Sequence, residues 1–402
     1  MGGAAIAAHR LHRALNKEQN VQSLMGVWQK NSDEKEVLPL INSSIRHKIR
    51  TRLCDKLVSL HKPNKDIVFT SHLLPSRLTS TIASTKPDII HLHWIAQFIS
   101  PYVLKHIATL NIPIVWTLHD TWAFTGGCHF GKCEKWKDEC RKCPVLNRSF
   151  GFDLSHYQWK LKKETYKKIQ PTIICPSKEM TRKANCSLLL KDYTIHTIPN
   201  LLDTSSFYPI GKKLARNLLK LDQDKKYILF GAMSATNDHN KGYDLLLNAL
   251  HHLKAQNINA HALIFGASHG DALPIPSTFL GHLHDEISLA LIYSASDVFV
   301  CPSREENLPN TIMESLACGT PVVGFEIGGI PDMVEHKING YIATPYDTRD
   351  LAKGITFILE DSARHKQMDL KACKVVEERY ASHVVAKQYI DLYNEILTKH
   401  AK

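Results

Sequence analysis

Short apolar, β-branched runs recur along this chain, separated by stretches of helical length. In the first half they are IVFTSH (67–72), IIHLHW (89–94), PIVWTLHD (113–120), TIICPS (172–177) and TIHTIPN (194–200). In the second half YILFGA (227–232), HALIFGA (261–267), DVFVCPS (297–303) and TPVVGF (320–325) are four stronger ones. Continuous apolar runs of this length read as buried strands rather than half-exposed ones. Between them, residues 101–110, 243–253, 286–294 and 310–317 carry helical patterns. Strands alternating with helices predict an α/β chain of doubly wound parallel sheets. A Pro-Asn turn signal and a second proline bracket the polar stretch IPNLLDTSSFYP (198–209), which predicts a boundary near residue 200. After a Ser382 cap, Val385, Tyr389, Leu392 and Ile396 fall at helical spacing, so a terminal amphipathic helix is expected. The implied domains are 1–200, 201–380, and a C-terminal helix over 381–402 that returns to the first domain.

Composition narrows the classes. No run reaches the ~18 apolar residues that span a bilayer, and the start, MGGAAIAAHRLHRAL, is too polar for a signal peptide. Ile6 replaces the Ser or Thr of a myristoylation signal. The expected location is the cytoplasm, including the inner face of the cytoplasmic membrane. The formal charge of +11 favours phosphate-bearing partners of several kinds: sugar nucleotides, lipid diphosphates, the headgroups of an anionic membrane surface, or nucleic acid. Basic residues gather in KWKDECRKC and in KLKKETYKK (160–168), and no nucleic-acid-binding pattern is present.

The candidate chemistry concentrates in CPSREENLPNTIMESLACG (301–319). A strand ending near Val300 runs into a loop, and Pro309 and Asn310 open a helix closed by Gly319. In open α/β sheets ligands bind beyond the carboxyl ends of the strands. The start of a helix there offers unpaired N–H groups and a positive dipole end to a diphosphate. Glu306 stands on the loop and Glu314 about a turn into the helix, so both carboxylates can reach one ligand. YILFGA leads on to a Lys241-Gly242 pair at a second helix start, an arrangement that brings a cation to a diphosphate. DQD (222–224) precedes a strand among lysines and reads as a solvated linker.

The run S-R-E-E-N-L-P-N-T-I-M-E-S-L-A-C-G-T-P-V-V-G, followed by I-G-G-I-P-D-M-V-E and N-G-Y-I, closely resembles the E-x7-E region of family 4 glycosyltransferases. That family has the GT-B fold, two Rossmann-like domains facing across a cleft. The resemblance implies that Glu314 binds the donor ribose and Glu306 approaches the donor hexose. It implies that the backbone of Asn307, Leu308, Pro309 and Asn310 holds the diphosphate or sugar, and that Lys241 contacts the phosphates. WTLHD (116–120) matches the family's strand-end histidine region, which would bring His119 to the transferred sugar. An arginine that the family often places after the strand glycine, here Gly231, is replaced by Ala232 and Met233; Arg304 is a candidate for its charge. His91 and His93 share one strand face and read as structural.

The family also begins with a strand that enters a Gly-Gly loop. Here Gly2 and Gly3, which the resemblance implies as donor-binding glycines, follow Met1 directly, so that strand is absent from the sequence, with two readings: a start further upstream, or a truncated chain whose activity is left open. Leu201 stands where family members commonly carry glycine. GGCHFGKCEKWKDECRKCP, within a 126–146 insertion, resembles a cysteine-bearing insertion of members that assemble exopolysaccharide, colanic acid and O-antigen. Cys128, Cys133, Cys140 and Cys143 end in a C-x2-C pair suited to tetrahedral zinc, with free thiols or a labile disulfide as alternatives. The activity implied is retaining transfer of a hexose from a UDP- or GDP-sugar to a lipid-linked or saccharide acceptor of cell-surface polysaccharide or lipopolysaccharide, with no catalytic cofactor. A sugar-nucleotide epimerase of the same fold and a non-catalytic nucleotide-binding remnant are the alternatives.

Overall fold

The computed structural model describes residues 2–41, 44–61, 68–74, 78–130, 133–146, 153–283 and 285–401. Chain contacts divide them into two compact units, Ala4–Ile198 with Lys387–Lys402, and Pro199–Ala386 with Met1–Gly3.

The first unit holds a two-stranded parallel sheet, β1 (Met25–Val27) and β2 (Val37–Pro39), and a four-stranded parallel sheet. The strands of the latter are β3 (Ile90–His93), β4 (Ile114–Thr117), β5 (Thr172–Cys175) and β6 (Ile195–Thr197), paired in sequence order. Its core gathers Leu92, Trp116 and Ile173 with Val103, Leu104 and Ile107 of the helix Pro101–Ile107, and Trp159 and Tyr166 of the helix Leu154–Ile169. Ser100 caps the first of these helices and a proline follows it, which fixes where it starts. The expected strand at 67–72 does not form among the described residues. Phe69 instead makes an isolated antiparallel bridge to Cys128, and the Thr70 and His129 amides are satisfied by Gly127 and Val68, so this segment pairs with the cysteine loop rather than the sheet. No strand precedes the helix Gly3–Leu15 among the described residues; Gly2 and Gly3 stand at its start. Among the described residues β3 has one strand partner, β4.

The second unit is built on a six-stranded parallel sheet in the order β12-β11-β10-β7-β8-β9. Its strands are β7 (Lys226–Gly231), β8 (Ala260–Phe265), β9 (Ser277–Phe279), β10 (Val298–Cys301), β11 (Val322–Phe325) and β12 (Gly340–Ala343). Alternation explains its two cores. Ile228, Phe230, Ala262, Ile264, Val298 and Val300 pack on one face, and Tyr227, Leu229, Leu263, Phe265 and Phe299 on the other. Both faces are covered, so the central strands carry continuous apolar runs such as VFVC of β10 and VVGF of β11 rather than alternating ones. Each fully buried aliphatic or aromatic side chain contributes about 1.5–3 kcal/mol. The helix Asn310–Ala317 is buried along nearly its whole length, with Ile312, Met313 and Leu316 at 0% exposure, which fixes its N-terminus against the strand ends. The terminal helix Ser382–His400 contributes Val385 and Ala386 to this unit and its remainder to the other.

Candidate active site

Three loops meet at the carboxyl ends of β7, β10 and β11, and two glycines hold them together. Gly242 has φ +70°, and a Cβ there would stand 2.0 Å from the Pro302 carbonyl oxygen. Gly328 has φ +56°, and a Cβ there would stand 1.8 Å from the Glu306 carbonyl oxygen. Only glycine takes both the left-handed backbone and the contact at no steric cost. A backbone hydrogen bond from Arg304 N to the Asn240 carbonyl (2.8 Å) ties the first two loops again.

This packing delivers Lys241 to Glu306. Lys241 Nζ donates to Glu306 Oε1 at 2.7 Å, with the lysine side chain 28% exposed and the glutamate 12%. The Glu306 carboxylate pushes the Lys241 pKa well above the ordinary lysine value, against the pull of burial. The ammonium charge is therefore secured at any physiological pH. Beside it the helix Asn310–Ala317 begins, with Pro309 as its N-cap residue in an extended conformation. Ile312 N bonds to the Pro309 carbonyl, and the first-turn amides point toward the loop. Asn200 Nδ2 bonds the Leu308 carbonyl and Asn310 Oδ1, each at 3.3 Å, which steadies the helix entry. Asn307 and Leu308 are buried.

Glu314 lies inside the helix, 5% exposed, and accepts from the Tyr293 hydroxyl at 3.1 Å. Tyr293 itself is fully buried and was invisible to motif reading, because its partner lies 21 residues away in sequence. Arg304 is committed elsewhere: its guanidinium grips Asp244 in a two-pronged pair (2.8 and 2.6 Å) and donates to the His239 carbonyl. That pair locks the start of the helix Tyr243–Ala255 rather than offering a free charge to a phosphate. Gly231 meets a packing demand, since a Cβ there would stand 2.2 Å from the Phe265 ring.

In the other unit, His119 lies two residues beyond β4 and its Nε2 is 3.0 Å from His93 Nδ1, so one ring donates and the other accepts. His91, on the same face of β3 as His93, bonds Tyr393 (2.7 Å) and Thr117 (2.8 Å). Burial lowers the pKa of His119 to about 4 and of His91 to about 3, and that of His93 well below the ordinary value. All three are neutral hydrogen-bonding groups near pH 7. Next to them Asp120 accepts from Trp94 Nε1 (2.7 Å), the Trp122 amide (2.8 Å) and His129 Nδ1 (2.7 Å), whose other nitrogen meets Thr70 (2.8 Å). Trp94, held at φ +28°, lines a small cavity with His119, Asp120 and Trp122. His93, read from the sequence as structural, thus sits against the predicted site histidine. The HLHW alternation already placed it on the face of His91.

The four cysteines of the insertion converge. Cys128 and Cys133 hydrogen-bond to Cys143, which pulls the Cys143 thiol strongly down and pushes the other two up. Cys140 accepts from the Gly126 amide at 3.2 Å, and burial raises its thiol to about 11. The described residues include no set of three or more His, Cys, Asp or Glu side chains arranged as metal ligands. Lys162 is 1% exposed, donates to the Trp122 and Thr125 carbonyls, and lies 3.5 Å over the Trp122 ring. Burial pulls its ammonium down to about 7, against Cys140, Asp120 and Cys128. The 160–168 segment is therefore no uniform basic surface.

Comparison with known proteins assigns the family. The sequence model of Glycosyltransferase Family 4 matches residues 1–206, and that of Glycosyl transferases group 1 matches residues 224–361. The chain belongs to glycosyltransferase family 4. This glycosyltransferase is 22% identical to N-acetyl-alpha-D-glucosaminyl L-malate synthase of Bacillus anthracis, over 81% of the chain and 79% of that protein. Its fold matches sucrose-phosphate synthase from Thermosynechococcus elongatus at a TM-score of 0.69 (20% identity, 99% of this chain, 94% of that one). It also matches Anabaena HepE in complex with UDP-glucose at 0.63 (16% identity, 99% and 96%). The glycosyltransferase therefore has the α/β GT-B fold. No helix among its described residues is long and apolar enough to cross a membrane.

Proposed function

We propose that this glycosyltransferase moves a hexose, with retention, from a UDP- or GDP-sugar to a hydroxyl of a cell-surface polysaccharide or lipopolysaccharide precursor. The observation that carries the donor side is the Lys241–Glu306 pair at 2.7 Å beside the start of the helix Asn310–Ala317. In the transfer the bond between the sugar's anomeric carbon and the diphosphate oxygen breaks, and the anomeric carbon bonds the acceptor oxygen. The acceptor proton goes to the departing phosphate. Charge therefore accumulates on the diphosphate, where a fixed ammonium and first-turn amides stabilise it without reorganising. Glu314, held by Tyr293, is assigned to the ribose hydroxyls, and Glu306 to the hexose. His119 is assigned to the transferred sugar as a neutral hydrogen-bonding group, with His93 setting its tautomer. The relatives that support this reading include a protein solved with UDP-glucose.

A screen of sugar nucleotides for release of free UDP or GDP, with and without lipid-linked acceptors, tests the proposal. Acceptor-dependent release that Lys241→Ala and Glu306→Ala abolish, with the thermal midpoint retained, is the expected result. Near-normal turnover in either variant refutes the donor assignment. Conversion of the donor without any acceptor indicates an epimerase instead. Zinc on the four cysteine sulfurs is a separate proposal, supported by the Cys128 and Cys133 thiols that hydrogen-bond to Cys143 and by the C-x2-C spacing of Cys140 and Cys143.

A further inference from the structure

The helix Ser44–Leu60 has two apolar faces, only one of which is packed. His47, Cys54 and Val58 are buried against its own unit. On the opposite side Ile45, Ile49, Leu53 and Leu60 are 70%, 52%, 54% and 46% exposed. At about 100° per residue these four fall within a sector of roughly 80°, on a stripe about 22 Å long. Single exposed aliphatics are ordinary on a protein surface, but four in register on one helix mark an interaction surface. The exposed Lys48 and Arg52 border the stripe and Lys56 stands within it. The acid on this helix, Asp55, accepts a hydrogen bond from Gln97.

We infer that this stripe docks the protein on an anionic phospholipid surface. Lys56 decides between possible occupants. A protein groove closing over the aliphatics would bury its ammonium, at a cost of several kcal/mol unless a matched acid were supplied. A second copy packed on the same stripe would enclose two Lys56 ammonium groups, one from each copy, at the same desolvation cost. At a membrane surface the aliphatics enter the acyl boundary while Lys56, Lys48 and Arg52 extend along their stems to the phosphates. The chain's net charge of +11 adds long-range attraction to the same surface. This inference is independent of the donor and acceptor assigned above, because its readout is binding rather than turnover.

The test is co-sedimentation of the full chain with vesicles of phosphatidylcholine alone, or of phosphatidylcholine and phosphatidylglycerol in equal parts. The expected result is binding to the anionic vesicles, weak binding to the neutral ones, and release as ionic strength rises to about 0.5 M. Ile49→Ser with Leu53→Ser should weaken binding at least about tenfold, with unchanged circular dichroism and thermal midpoint, since both side chains face solvent. Lys48→Glu with Arg52→Glu should abolish the preference for anionic vesicles. The inference is overturned by a wild-type protein that stays in the supernatant, by an Ile49→Ser/Leu53→Ser protein that binds as tightly as wild type, or by salt-independent binding to both vesicles. A dimer in solution that the aliphatic substitutions dissolve would assign the stripe to a second copy and overturn it as well.

Discussion

Lys241 is paired with Glu306, so on the proposed assignment a donor diphosphate must share or take over an ammonium that already has a partner. Two substitutions at this pair should therefore move nucleoside diphosphate affinity in opposite directions. At 2.7 Å the charges attract with about 6 kcal/mol at an effective dielectric near 20, before desolvation is counted. Because the two side chains are 28% and 12% exposed, water weakens the pair and the net value falls to the order of 1–3 kcal/mol. Lys241→Met removes a charge-assisted hydrogen bond to phosphate, about 1.5–3 kcal/mol, and should weaken UDP or GDP binding roughly ten- to hundredfold. Glu306→Gln keeps the shape and releases the ammonium. It should strengthen binding of the bare nucleoside diphosphate by up to about tenfold, while transfer from the intact sugar nucleotide falls. Calorimetric titration of both variants with UDP and GDP, beside a turnover assay, reads the contrast. If Glu306→Gln weakens the diphosphate as much as Lys241→Met does, the pair does not compete with the ligand and the assignment of Lys241 to the phosphates fails.

Three further outcomes are expected. Gly328→Ala should lower stability by about 2–4 kcal/mol, read as the urea midpoint, because its φ is +56° and its Cβ would meet the Glu306 carbonyl at 1.8 Å; a midpoint unchanged from wild type would show that the loop yields. His119 is neutral in the folded protein down to about pH 4 but titrates near 6.5 when unfolded, so the unfolded state binds the extra proton first. Its contribution is present above pH 6.5 and is lost as pH falls from 6.5 toward 4, on the order of 3 kcal/mol. The unfolding free energy of His119→Gln should fall less over that window than that of wild type, and equal slopes would contradict the pKa shift. Metal analysis should find one zinc per chain, with Cys128, Cys133, Cys140 and Cys143 unreactive toward a thiol reagent until a chelator is added; zinc-free protein with four titratable thiols sinks the zinc proposal.

The parallel strands were legible because burial on both faces leaves uninterrupted apolar runs, as in VFVC and VVGF. The helix Asn310–Ala317 was legible to the residue, since a proline marks its entry and a cysteine–glycine pair its exit. β9 escaped because STF carries a single apolar residue, too few to stand out. The helix Ser44–Leu60 escaped because its outward aliphatics obscure the one-sided periodicity that marks an ordinary surface helix. IVFTSH has strand composition, yet what it pairs with is decided by the loop at Cys128, far away in sequence. At the site, Lys241 and Glu306 were legible as loop residues after strands and Glu314 as a residue one turn into a helix, while the roles assigned to them come from the family resemblance. The engagement of Arg304 with Asp244, and of Glu314 with Tyr293, depends on which side chains the fold brings within reach. Local sequence carries no record of that.

The two glycine contacts also set how this enzyme can diverge. Loops at strand ends are usually where insertions are tolerated. Here a residue added or lost in the 239–242 turn, in 302–309 or in 326–329 would displace Gly242 from Pro302 or Gly328 from Glu306 and break the other loops with it. On the proposed donor assignment, donor preference would then change by exchange of side chains on a frame of constant length. The 126–146 segment, in the other unit, is tied at its start in the same way, since a Cβ at Gly126 would stand 2.4 Å from the Ser155 carbonyl oxygen and one at Gly127 2.8 Å from that of Thr70.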